Sequence, residues 1–282
     1  MAAAGTIKVL IAGGGTGGHL YPGIALAQEF QKRRQTKIMF LGTSHGIEQK
    51  VVPQTPYEFK KIWMRGLQRK MAFSNVIFPI RLFVSLAQCA YLILRFKPDV
   101  IIGTGGYVSG PALMMGLAFA IPTVIQEQNS FPGLVNRLLG NWVKQVHLTY
   151  EASLTYFKRQ EDIFISGNPV RGEVNKMDKN LALQKLHLHA DKTTLFIFGG
   201  SQGAHAINQQ VLHSLPALLQ LTDLQILWAT GAADFELVQS SCQSIKDRVK
   251  IYAYIEDMAS AYAAADMVLC RAGASTLSEI AL

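Results

Sequence analysis

Val9-Leu10-Ile11-Ala12-Gly13-Gly14-Gly15-Thr16-Gly17-Gly18-His19-Leu20-Tyr21-Pro22-Gly23-Ile24 decides the fold. Apolar β-formers run directly into a turn of five glycines and one threonine, and an apolar helical pattern opens at Ile24. This predicts a buried parallel strand, a tight turn and a helix whose first amides point at whatever lies over the turn. Glycines allow positive φ and close approach of a ligand to the main chain. Gly13, Gly15 and Gly18 satisfy Gly-x-Gly-x-x-Gly, the spacing of a dinucleotide site, but such a site needs an acidic residue at the end of the second strand to hold a ribose. The second strand, Lys37–Gly42, is followed by Thr43-Ser44-His45 with no carboxylate. The dinucleotide reading weakens, and His19, the one titratable side chain in the turn, needs another purpose.

The rest of the chain repeats the theme. Apolar runs at 7–12, 37–42, 99–102, 122–126, 145–149 and 163–165, then at 194–198, 225–229, 249–252 and 266–270, alternate with helical patterns. That alternation predicts parallel sheets with crossover helices. Gly167-Asn168-Pro169-Val170-Arg171-Gly172 and a polar tract containing Lys176 break the series, placing an N-terminal domain at 1–166, a linker at 167–175 and a C-terminal domain at 176–282. Further glycine turns follow strands at Gly103-Thr104-Gly105-Gly106, Gly199-Gly200-Ser201-Gln202-Gly203 and Arg271-Ala272-Gly273-Ala274-Ser275-Thr276. Two such turns per domain, all at strand C-terminal ends, predict ligand sites where open α/β sheets bind ligands, on edges that would face each other across a cleft. The chain stops at Leu282 inside a helical pattern, which reads as a second domain cut short.

Composition narrows the classes. The 282 residues are 49% hydrophobic and 16% charged, enough for two cored domains and unlike a disordered chain. Three scattered cysteines match no disulfide or metal spacing and suit a reducing compartment. His187-x-His189 sits in a polar stretch and reads as a solvated face. No Asp-x-Asp pair offers carboxylates for a metal. The unbroken apolar run Ala112–Ile121 is too short to span a bilayer, and the N-terminus lacks a basic leader, so a soluble protein is expected.

Charge is one-sided. Residues 1–150 carry 16 Lys/Arg against 5 Asp/Glu, whereas residues 151–282 carry 11 against 14. Between Glu58 and Asp99 there are eight basic residues and no acidic one. There Phe59, Trp63, Met64, Leu67, Met71, Phe73, Val76, Ile77, Phe78, Ile80, Leu82 and Phe83 interleave with Lys60, Lys61, Arg65, Arg69, Lys70 and Arg81. Helical spacing assigns Ile80, Phe83, Val84, Ala87, Tyr91 and Leu94 to the core. The remainder predicts attachment to an anionic membrane surface. Aromatics set among aliphatics, with no nucleic-acid motif, argue against a nucleic-acid partner.

Six motifs now stand in order: Gly14–His19, Gly105-Gly106-Tyr107-Val108-Ser109-Gly110-Pro111, Glu127-Gln128-Asn129, Gly167–Arg171, Gly199–Ala204 and Tyr254–Met258. Together they resemble the MurG family, the GT-B, family-28 type N-acetylglucosaminyltransferases of peptidoglycan synthesis. The resemblance implies a GT-B fold of two doubly wound domains, UDP-GlcNAc as donor, a polyprenyl-pyrophosphoryl muramoyl-pentapeptide as acceptor, no cofactor, and a peripheral place on the cytoplasmic face of the cell membrane. It implies that uracil meets the backbone of Ile255 with Arg171 nearby. Ser201 and the helix start at Ala274, Ser275 and Thr276 would hold the donor diphosphate, Leu277 and Ser278 would belong to the same UDP-GlcNAc site, and Glu279 would take the ribose. Asn129 would reach the sugar, Thr16, Gly17 and Gly18 would line the cleft floor, and Gly105, Gly106, Tyr107 and Glu127 would face the acceptor. His19 would be the base, with a helix-start residue bonding local backbone as the alternative; Glu127 is better read as orienting its neighbours. Gln126 and Ser275 depart from the family's usual His and Leu. Open alternatives are another GT-B enzyme, such as a glycolipid glycosyltransferase or a UDP-GlcNAc 2-epimerase, and an inactive nucleotide-binding fragment.

Overall fold

Side chains alternate sides along a strand, so Val9 and Ile11 turn to one face of the first sheet and Leu10 and Ala12 to the other. Both faces are buried, and each receives helices. The computed structural model describes residues 5–66, 76–172 and 177–282, in two compact units, Met1–Arg171 and Gly172–Leu282. Leu67, Arg69, Lys70, Met71 and Phe73 of the basic segment, and residues 173–176 of the linker and polar tract, lie outside the described residues.

In the first unit seven parallel strands lie in the order β3-β2-β1-β4-β5-β6-β7. They are β1 (Ile7–Gly13), β2 (Thr36–Gly42), β3 (Glu58–Lys61), β4 (Val100–Gly105), β5 (Thr123–Glu127), β6 (Gln145–Leu148) and β7 (Ile163–Ile165). Helix α1 (Gly17–Arg33) packs Leu20, Ile24 and Ala27 on one face. After the short α2 (Glu48–Val51), α3 (Phe78–Phe96), α4 (Ser109–Ala118) and α5 (Leu134–Leu139) cover the other. The second unit is a four-stranded parallel sheet in the order β10-β9-β8-β11. Its strands are β8 (Thr193–Phe198), β9 (Leu224–Ala229), β10 (Val249–Tyr252) and β11 (Met267–Cys270). Ile197, Ile226 and Trp228 meet α7 (His205–Leu218) and α8 (Phe235–Ser241) on one side. Phe196, Phe198 and Leu227 meet α6 (Lys179–Lys185) and α9 (Met258–Ala264) on the other, and α10 (Ala274–Ile280) follows β11.

Three expectations are corrected, at β3, at α3 and at Met64. The strand β3 has no apolar run to announce it: Glu58-Phe59-Lys60-Lys61 is a charged strand on the sheet edge, where lysines discourage pairing with another chain. The larger correction concerns α3. The face predicted as core is the one turned outward: Phe83 is 74% exposed and Ile80 59%, and Ala87, Tyr91 and Leu94 are exposed with them. The buried stripe runs instead through Ser85, Cys89, Ile93 and Phe96. Ser85 is tolerated there because its hydroxyl donates to the Leu82 carbonyl at 2.8 Å, within the helix. Met64, expected at the membrane surface, is buried against this stripe. Phe78–Phe96 is also long and apolar enough to cross a membrane, with mean hydropathy 1.3, although the unbroken run Ala112–Ile121 is not. Its buried stripe belongs to the sheet's core, so here it is a layer of the fold.

Candidate active site

In each sheet the strand order reverses direction at one point, between β1 and β4 in the first unit and between β8 and β11 in the second. At such a point the connecting helices leave to opposite sides and a crevice opens beyond the strand C-termini. All four glycine turns foreseen from the sequence fall there: 13–18 and 103–106 in one unit, 199–203 and 271–273 in the other.

In the first unit the two turns touch main chain to main chain. Gly105 (φ +110°) and Gly106 (φ +77°) are left-handed, and a Cβ on Gly106 would strike the Gly14 carbonyl. A Cβ on Gly105 would occupy the place of the His19 ring. Thr16 is the N-cap of α1, Gly17 and Gly18 are its first residues, and His19 lies half-buried in that first turn. Its Nδ1 is 3.0 Å from Gln128 Oε1, and Thr104 Oγ1 donates to its carbonyl at 2.7 Å. Tyr107 sets its ring against Gly66. The structure thus brings Thr16, Gly17, Gly18, His19, Gly105, Gly106 and Tyr107 to one sheet edge.

Glu127 ends β5 at 1% exposure. Its carboxylate accepts from the Asn129 amide and side chain at 2.9 and 3.0 Å, from the Gly133 amide at 2.9 Å and from Asn136 at 2.8 Å. Four donors use its acceptor capacity, so its role is to fix the loop that presents the exposed Asn129. Arg171 stacks its guanidinium 4.3 Å above the Tyr21 ring, placing it beside α1.

The second unit builds a different edge. Ser201 lies half-buried in the turn after β8, with left-handed Gly200 and Gly203 on either side. Arg271, from the turn after β11, donates Nε to the Gly199 carbonyl at 2.7 Å, joining the two turns with a cation. Ala274, Ser275, Thr276, Leu277, Ser278 and Glu279 form α10 with Gly273 as N-cap. Glu279 Oε2 accepts from the Tyr262 hydroxyl at 3.0 Å. Ile255 is buried in the turn between β10 and α9.

Several residues at these edges escape a reading of the sequence. Glu48 is the clearest. No carboxylate directly follows β2, yet Glu48 folds back at 0% exposure to accept from the amides of Gly15 (2.8 Å) and Thr43 (2.9 Å) and from the Thr43 hydroxyl. The absence of Cβ atoms on Gly14, Gly42 and Gly46 makes its space. The first turn therefore satisfies one of its own amides with an internal anion. Thr104, Gln128, Tyr262 and Arg271 are likewise set by contacts that no spacing rule foretells.

Paired parallel sheets with glycine turns at their switch points are the architecture of GT-B glycosyltransferases. Residues 9–148 match the glycosyltransferase family 28 N-terminal domain and residues 194–282 its C-terminal domain. A UDP-N-acetylglucosamine–N-acetylmuramyl-(pentapeptide) pyrophosphoryl-undecaprenol N-acetylglucosamine transferase from Thermoanaerobacter sp. (strain X514) is 43% identical over 279 residues, covering 97% of this chain and 76% of the relative. The crystal structure of Acinetobacter baumannii MurG superposes with a TM-score of 0.66 at 29% identity, over 98% of this chain and 74% of that one. A UDP-GlcNAc 2-epimerase from Neisseria meningitidis matches at 13% identity and TM-score 0.62, over 95% and 78%, a likeness of fold alone. The chain belongs to glycosyltransferase family 28 and, within it, to the MurG-type N-acetylglucosamine transferases.

The turn holding Ile255 is pinned by Asp257, the N-cap of α9, which accepts from the Ser260 amide at 3.1 Å and from Lys185 Nζ at 2.5 Å. Burial opposes its charge, but the bonds from Lys185 and Ser260 outweigh that and hold its carboxyl at about 2. A carboxyl depressed in the folded state stabilises above its unfolded value and loses that contribution as pH falls through the folded one. Asp257→Ala should cost about 1 kcal/mol at pH 7. The gap from wild type should narrow between pH ~4 and ~2. Thermal melts of both proteins across that range check this; a gap independent of pH contradicts it.

Proposed function

We propose that this chain transfers GlcNAc from UDP-GlcNAc to the 4-hydroxyl of the muramoyl sugar of a polyprenyl-pyrophosphoryl muramoyl-pentapeptide, with inversion. The observation that carries the reading is family membership joined to an imidazole seated at the β1/β4 switch point. The second unit holds the donor. The uracil hydrogen-bonds to the main chain of Ile255, Glu279 takes the ribose diol, and the diphosphate lies over Ser201 and the first residues of α10, with Arg271 as its cation. The first unit holds the acceptor along Gly105, Gly106 and Tyr107, with His19 as base. Thr16, Gly17, Gly18 and Asn129 address the donor sugar, and Arg171 the nucleotide.

The steps follow from charge. His19 removes the proton of the attacking hydroxyl, the oxygen forms its bond to the anomeric carbon, and the bond from that carbon to the diphosphate oxygen breaks. UDP leaves with its negative charge met by main-chain amides, the α10 dipole and Arg271. General-base assistance is typically worth ~10²–10⁴ in rate. His19→Ala should lower turnover by about that factor while the KM for UDP-GlcNAc stays within about twofold. Steady-state kinetics with a polyprenyl-pyrophosphoryl muramoyl peptide decide it; equal losses in turnover and donor affinity contradict the role.

The acceptor's lipid tail supports a second component, peripheral attachment to the cytoplasmic leaflet. Ile80, Phe83 and Trp63 are exposed, with Arg81 stacked 5.7 Å from the Trp63 ring. Met114 on α4, which packs beside α3, is exposed as well, as are Leu138 on α5 and Trp142 in the turn after it. Exposed apolar side chains can enter the acyl boundary while each nearby Lys or Arg gains about 1 kcal/mol from anionic headgroups. Ile80→Glu/Phe83→Glu keeps the core, since neither side chain is in it. The double variant should lose at least about fivefold of its binding to phosphatidylglycerol vesicles at low salt, by co-sedimentation. Undiminished binding would contradict this surface.

A further inference from the structure

We propose that Gln128 is a positioning residue that fixes the tautomer of His19 and so decides which ring nitrogen takes the proton. The proposal rests on the reading of His19 as base and adds what prepares it. Gln128 lies just past β5 at 1% exposure. Its Nε2 donates to the Thr104 carbonyl at 2.7 Å and to the Gln126 carbonyl at 3.1 Å, and it also meets Gln126 Oε1. A carboxamide nitrogen only donates and a main-chain carbonyl only accepts. Turning the amide over would set Oε1 against these oxygens with no proton between them. The nitrogen end is therefore fixed towards Thr104 and Gln126, and Oε1 must face His19.

That orientation settles the imidazole. Gln128 Oε1 can only accept, so the His19 Nδ1 at 3.0 Å carries the hydrogen. In the neutral ring the lone pair then sits on Nε2. When the acceptor hydroxyl ionises, its proton goes to Nε2, and Nδ1–H keeps its bond to Gln128 throughout. The same strand end holds His19 from its other side, since Thr104 Oγ1 donates to the His19 carbonyl at 2.7 Å and Gly105 leaves room for the ring. The charged groups on the surrounding elements are otherwise engaged: Glu48 with Gly15, Glu127 with Asn129, Gly133 and Asn136, and Arg171 over Tyr21.

Long-range proton–nitrogen correlation NMR on the full chain labelled with ¹⁵N-histidine reads the tautomer directly, with the His19 signals assigned by their loss in His19→Ala. The expected result is an Nδ1–H tautomer in wild type. In Gln128→Met, of similar size and without the acceptor, the ring should shift towards Nε2–H, with turnover about 10²-fold lower and the KM for UDP-GlcNAc within about twofold. An Nε2–H tautomer in wild type, or a variant that keeps both tautomer and turnover, overturns the proposal. The wild-type spectrum decides it even if the variant fails to fold. A fully active His19→Ala would refute the base itself, a failure separate from a wrong tautomer.

Discussion

Main chain packed against main chain is the constraint on which the first half-site depends. Gly14 and Gly106 approach so closely that neither turn could sit where it does if Gly106 carried a Cβ, and Gly105 surrenders its side-chain space to an imidazole. Left-handed φ at Gly105 and Gly106 restricts the position to glycine for steric reasons of its own. The result is a histidine held by its ring, its carbonyl and its helix, on a strand edge braced by Glu48 and Glu127. The second unit repeats the device with other chemistry. Gly203 and Gly231 press their turns together in the left-handed region, and a guanidinium in place of an imidazole spans the turns at the switch point.

The division of labour follows from charge as much as from shape. The N-terminal unit is strongly basic and exposes Ile80, Phe83, Tyr91 and Leu94 along α3, which supports the membrane attachment proposed for it. The second unit is slightly acidic overall yet joins its two switch-point turns through Arg271, the cation proposed above for the diphosphate. Local cations, main-chain amides and helix termini can hold a pyrophosphate in an otherwise unremarkable field.

Much of this was legible in the sequence. Strand runs buried on both faces and glycine turns at their ends are local signals, and they marked ten strands and all four turns. What escaped was relational. Glu58–Lys61 is a strand only because Met39–Gly42 lies beside it. Helix Phe78–Phe96 is apolar around most of its circumference, so its period could not reveal which stripe was buried; the sheet selects the narrow one through Ser85 and Cys89, where small side chains allow close approach. Glu48, Gln128 and Tyr262 reach their partners across 33, 109 and 17 residues of chain. No short pattern carries contacts of that kind.

In the proposed reaction the glycine turns of the second sheet receive the donor diphosphate while the first sheet prepares the acceptor. Hydrogen exchange of the full chain with and without saturating UDP tests it most directly. Slowed exchange is expected in peptides covering 199–204 and 271–279. Unchanged exchange in both, with protection confined to other segments, would contradict it.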